Sequence, residues 1–128
     1  MHRLVRVGLA ALAMVSLTGI GRAQSDLESV RTQAKAGDPT ALNTLGNIYA
    51  NGQGVAKDDR EALRYYQQAA DLSYAPANFN LGMMYELGRG VTRDLTKAFD
   101  YYRKSATQGF AAAQFNVGNM YAGGIGVA

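Results

Sequence analysis

Asp58, Asp59 and Glu61 bring three carboxylates into four consecutive positions, a grouping that could hold a cation or divide general acid and base roles. The spacing argues against both. A calcium loop needs oxygen ligands on alternating residues around a glycine, and that alternation is missing. Asp58 instead recurs as Asp94, 36 residues later, each time where an Asp side chain would cap a helix. Glu61 completes a capping-box pattern with Asp58. The pairs Gly52-x-Gly54, Gly88-x-Gly90 and Gly124-x-Gly126 could suggest a phosphate cradle. A dinucleotide fingerprint needs a third glycine, a preceding strand and a helix opening on the loop. Here a helical pattern precedes each pair, so the glycines read as helix C-caps and turns.

Eight Tyr and four Phe could form a stacking surface. Helical phase instead puts Tyr49, Tyr66, Tyr85, Tyr102 and Tyr121 on inner faces as core, with Tyr65 and Tyr101 nearer the surface. The chain has no Cys, and its one His is His2. Once the N-terminal segment is removed, neither residue remains. The common zinc sites, a Cys–His pair and a Ser–His–Asp triad are then all out of reach. No cofactor or metal is expected.

That segment has the plan of a secretory signal peptide, residues 1–23. Arg3 and Arg6 precede an uncharged apolar run, Val7 to Ile20, and Gly21-Arg22-Ala23 offers small residues for cleavage after Ala23. The run is 14 residues long, whereas about 20 are needed to cross a bilayer. The expected product is exported, periplasmic or secreted, with no stable membrane insertion after cleavage. Of the 13 Lys and Arg, three leave with the segment, so the mature chain carries 10 basic against 10 acidic residues. The precursor pI of about 9.3 therefore does not signal a nucleic-acid partner, which needs a basic face.

The elements that would position any site follow from one spacing. Gly46, Gly82 and Gly118 stand 36 residues apart, as do Tyr49, Tyr85 and Tyr121, and Gly54, Gly90 and Gly126. Ala62 with Ala98, Tyr65-Tyr66 with Tyr101-Tyr102, and Ala70 with Ala106 repeat the step. This is an internal repeat, and stacked short repeats mostly bind other molecules. Repeat 39–74 predicts a first helix capped by Asp38, with Pro39 at its first position, and a second helix capped by Asp58. Gly46, Ala62 and Ala70 would let the two approach closely. Repeat 75–110 follows the same scheme, but Tyr74 replaces the Asp38 cap. Asp100 and Lys104 are spaced for a helical ion pair. Residues 25–36 read as a lone second-type helix. Residues 111–128 form a partial repeat: a first helix from Ala112 to about Ala122, then the glycine loop.

The run from Ala77 to Val91, then Asp94, Lys97-Ala98 and Tyr101-Tyr102-Arg103-Lys104-Ser105-Ala106, closely resembles the Sel-one-like repeat (SLR), a relative of the tetratricopeptide repeat. The tetratricopeptide period is about 34, and the two extra residues fall in the Gly-x-Gly-Val loop. The resemblance covers nearly all of residues 25–128. It implies an all-α fold, a right-handed α/α superhelix of stacked antiparallel helix pairs, used as an adaptor for protein assembly. Bacterial members are often exported. One exported branch is linked to β-lactam binding and hydrolysis, but it carries a disulfide in each repeat. This chain has no Cys, so that activity does not carry over.

The expected function is an exported, non-catalytic adaptor that binds proteins or peptides in a helical-repeat groove. First-helix residues pointing away from the core stripe are the candidates: Asn43, Asn47, Asn51, Phe79, Met83, Glu86, Phe115 and Asn119. Carboxamides there would suit the main chain of an extended peptide. The alternative is a cell-envelope hydrolase, β-lactamase-like or acting on cell-wall-related substrates. It would have to rest on carboxylates, Ser or Tyr alone. Val117 and Tyr121 are expected to await a further helix, which leaves self-association or continuation of the array open at that end.

Overall fold

Helix-forming stretches of equal length alternate with turns built on Gly, Asp and Ser. The computed structural model describes residues 21–127. Helix α1 covers 21–35. It is followed by α2 (Pro39–Asn51), α3 (Asp59–Asp71), α4 (Ala75–Leu87), α5 (Leu95–Thr107) and α6 (Ala111–Gly123), with no strand among the described residues. Each helix from α2 to α6 has 13 residues. The expected signal peptide lies outside the described residues over 1–20. At 21–23 the backbone is helical, and α1 runs on through the expected cleavage point after Ala23. No helix of the described residues is long and apolar enough to cross a membrane.

The caps follow the sequence, with one correction. Asp38 Oδ1 accepts from Thr40 N at 2.9 Å, and Asp58 Oδ1 from Arg60 and Glu61 N at 3.1 Å each. Tyr74 contributes no side-chain cap to α4. The capping box at Glu61 does not form. The Asp58 N–H that it would accept donates instead to Tyr49 O at 2.9 Å, and Glu61 is drawn to Arg64 at 2.8 Å. Asp94 N–H reaches Tyr85 O in the same way, so each loop is tied back to its first helix. Gly52, Gly88 and Gly124 sit at φ of 67°, 65° and 63° as left-handed C-caps, a conformation that favours glycine. No ion pair joins Asp100 to Lys104 among the described residues. The Lys104 ammonium lies 5.1 Å from the Tyr101 ring centroid instead.

Pairing within a repeat depends on a missing side chain. A Cβ on Gly46 would come closer than 3.0 Å to the Tyr66 ring, and one on Gly82 would lie 2.6 Å from Tyr102 Cδ1. Ala62 and Ala98, fully buried, complete these contacts. α2 packs on α3, α3 on α4, and α5 on both α4 and α6. One layer holds the first helices α2, α4 and α6, the other the second helices α1, α3 and α5. Three apolar clusters fill the space between them: around Leu42 and Leu45, around Tyr66 and Leu81, and around Phe99 and Tyr102. Burying a large apolar side chain contributes roughly 1.5–3 kcal/mol.

The tyrosines divide differently from the expectation. Tyr66 and Tyr102 are buried. Tyr49 and Tyr85 are only half-buried, because each stacks on its repeat neighbour, Tyr65 at 5.7 Å and Tyr101 at 5.5 Å. Tyr121 is 59% exposed, its ring nearly perpendicular to that of Phe99 with centroids 5.1 Å apart. Val117, in contrast, is half-buried against the Phe99–Tyr102 cluster and finds its cover on α5.

Candidate functional site

The carboxylates that first suggested chemistry are occupied with architecture. Asp58 caps α3. Asp59 pairs with Arg89 of the next repeat at 2.8 Å, and Arg89 also donates to Ala50 O at 2.9 Å. Arg89 therefore clamps the second glycine loop onto the start of α3. At the same junction a Cβ on Gly90 would stand 2.8 Å from Asp59 O. One repeat later Gly126 presses on Leu95 O in the same manner. The second glycine of each of these two pairs thus permits one repeat to seat on the previous one. None of the three carboxylates faces a common ligand space, and no cluster of metal-ligating residues occurs among the described residues.

The candidate groove residues lie on the first-helix layer, and the structure assigns several of them to packing. Asn43 is buried and accepts from Asn80 Nδ2 at 2.9 Å, joining α2 to α4. Asn47 accepts the Tyr66 hydroxyl at 2.7 Å. Phe79 packs on Tyr102 and Phe110 with centroids 5.5 and 5.3 Å away, and Met83 is half-buried against the same cluster. Asn51, Phe115 and Asn119 are exposed, Phe115 by 70%. Exposure rises along the equivalent positions Asn43, Phe79 and Phe115.

Two candidates do meet. Glu86 and Asn119 line one recess with Tyr102, Asn116, Met120 and Ile125, about 160 Å³ in volume. The Tyr102 hydroxyl donates to Glu86 Oε2. Burial, and then this carboxylate, push the Tyr102 hydroxyl well above the usual tyrosine range. Tyr66 is likewise pushed up to about 12, chiefly by burial. Sequence reasoning missed Asn116 and Arg89. It also missed the exchange that installs Glu86: the first repeat has Asn47 and Ala50 where the second has Met83 and Glu86. A methionine in place of the acceptor Asn, and an acid in place of a buried Ala, is the signal that was available.

A larger cleft of about 460 Å³ lies between α3 and α5, among Gln67, Asp71, Asn78, Tyr101, Lys104 and Gln108. Its polar groups largely satisfy one another. Tyr101 donates to Gln67, Gln67 to Asp71, and Asn78 to Gln108.

Comparison with solved structures gives a consistent picture. A Sel1 repeat protein from Oxalobacter formigenes superposes with a TM-score of 0.78 at 34% identity, over 91% of this chain and 48% of that one. A protective antigen of uropathogenic Escherichia coli strains displaying an SLR fold gives 0.76 at 38%, over 79% of this chain and 22% of that one. Helicobacter pylori cysteine rich protein B gives 0.68 at 27%, over 80% and 76%. The chain thus spans about half the length of the first relative and less of the second. Comparison with curated proteins yields no significant match. The Sel1 repeat model matches residues 39–74, 75–110 and 111–128, and the chain belongs to the Sel1 repeat family.

Proposed function

We propose that this chain is an exported, non-catalytic adaptor that binds a protein or peptide on the layer formed by α2, α4 and α6. Sel1 repeat proteins are helical-repeat scaffolds that typically mediate protein–protein interaction. The observation that carries the reading here is the recess in that layer. It brings together two candidate groove residues, Glu86 and Asn119, with the carboxamide of Asn116 and the apolar flank of Met120. Such a surface offers donors, an acceptor and apolar contact to an extended main chain. The absence of His and Cys after residue 23, and the structural roles of Asp58 and Asp59, support a binding function rather than a hydrolase.

The test is a photo-crosslinking residue placed at Asn119, with a control at Arg103 on the opposite layer, in cells exporting the protein. A discrete protein adduct from the first site and none from the second is expected, on a chain whose N-terminus is Gln24. Adducts of glycan or small molecule alone would overturn the adaptor reading. An uncleaved chain in the cytoplasm would overturn export.

A further inference from the structure

Glu86 carries a charge that its structural role does not need. In the first repeat a neutral carboxamide, Asn47, accepts the buried tyrosine hydroxyl. In the second repeat Met83 stands in the equivalent place and cannot accept, so Glu86 takes over the role for Tyr102 from the position of Ala50. A neutral acceptor would again suffice. The carboxylate is half-buried, and among the described residues no ion pair links it to a side-chain cation. Arg93 approaches only its backbone, donating to Glu86 O at 3.0 Å. Arg89, the other cation of this loop, is committed to Asp59.

Tyr102 uses one acceptor site of this carboxylate, so an incoming cation finds further oxygen lone pairs to engage by charge-assisted hydrogen bonds. The recess beside the carboxylate has the remaining requirements of a cation site. Asn116 and Asn119 offer carboxamide oxygens, and Met120 and Ile125 form an apolar wall. Its volume of about 160 Å³ corresponds to roughly five waters at ~30 Å³ each, the room for one side-chain end rather than a folded element. An acidic group is excluded by Glu86 itself.

We propose that this recess takes a cationic side chain, lysine or arginine, from an extended peptide partner. The methylene stem lies along Met120 and Ile125 while the charged end reaches Glu86 and the two carboxamides. This inference rests on the binding role proposed for the first-helix layer and names the chemistry that the layer selects. Lysine pentapeptide, blocked at both ends with alanine flanks, should shift the side-chain amide resonances of Asn116 and Asn119. It should bind at least about tenfold more tightly than its norleucine counterpart, the usual scale for a hydrogen-bonded charge, and a glutamate counterpart should not bind. Glu86→Gln keeps an acceptor for Tyr102, so the melting temperature should hold while the lysine preference disappears. Equal binding of the lysine and norleucine peptides, or a preference that survives Glu86→Gln, would overturn the inference but leave the binding surface standing. No perturbation by any of the three peptides would overturn the inference too. The binding surface itself would then be judged by whether crosslinking from Asn119 still captures a protein.

Discussion

Adding one methyl group at three equivalent glycines should give opposite results. Gly46, Gly82 and Gly118 occupy the same repeat position, 36 residues apart, and all lie inside helices. In a helix interior Gly→Ala is favourable by about 1 kcal/mol from backbone entropy alone. At Gly118 no other group stands within 4 Å of the new Cβ, so that gain should appear nearly whole. Gly118→Ala is expected to raise the melting temperature by roughly 4–8 °C for each kcal/mol in a domain of this size. At Gly82 the new carbon would sit 2.6 Å from Tyr102 Cδ1, about 1 Å inside the optimal carbon–carbon separation. Tyr102 is buried and tethered to Glu86, so its ring cannot swing away freely. Overpacking of this kind costs typically 1–3 kcal/mol, and disturbing the hydroxyl bond adds about 1–2 kcal/mol. After the propensity gain, Gly82→Ala should lose about 1–4 kcal/mol, and Gly46→Ala a similar amount through Tyr66. Thermal and urea unfolding followed by circular dichroism would measure all three. If the three variants shifted stability in the same direction, the glycines would not be acting as seats for tyrosine rings, and the packing account of the repeat would be wrong.

Two further outcomes concern the caps and the buried hydroxyls. Asp58→Ala should cost about 1 kcal/mol as a lost N-cap, whereas Glu61→Ala, which removes only a surface pair with Arg64, should cost under about 0.5 kcal/mol; equal losses in urea titrations would restore the capping box. Tyr66 and Tyr102 resist ionisation in the folded state, Tyr66 up to about 12, while unfolded tyrosine ionises near 10. The stability they confer is therefore complete below about pH 10 and declines as pH rises above it, the share from Tyr66 being lost through about pH 12. Denaturation midpoints should hold steady up to pH ~10 and fall at pH ~11; an unchanged midpoint at the higher value would contradict the burial of both groups.

Local signals made the helices legible. Asp38 and Asp58 as caps, the left-handed glycines, and the apolar stripe of each helix all act within one or two turns, so the sequence displays them directly. What helical phase could not display is compensation between copies. Asp59 with Arg89 becomes Leu95 with Ile125 at the same two places, and Leu42 becomes Asn78, which is paired to Gln108. Each exchange links residues about a repeat apart, and only the stacked structure shows which change answers which. Phase likewise could not display that Asn43 joins its repeat to the next through Asn80, while Asn47 and Phe79 pack against tyrosines of their own repeats. A position that departs from its repeat counterpart is therefore informative in two ways. Where the new side chain is fully used by a neighbour, as at Arg89, the departure is architectural. Where the neighbour uses less than the side chain offers, as Tyr102 uses only the acceptor and not the charge of Glu86, the surplus is the part of the sequence that packing does not explain, and a cationic partner does.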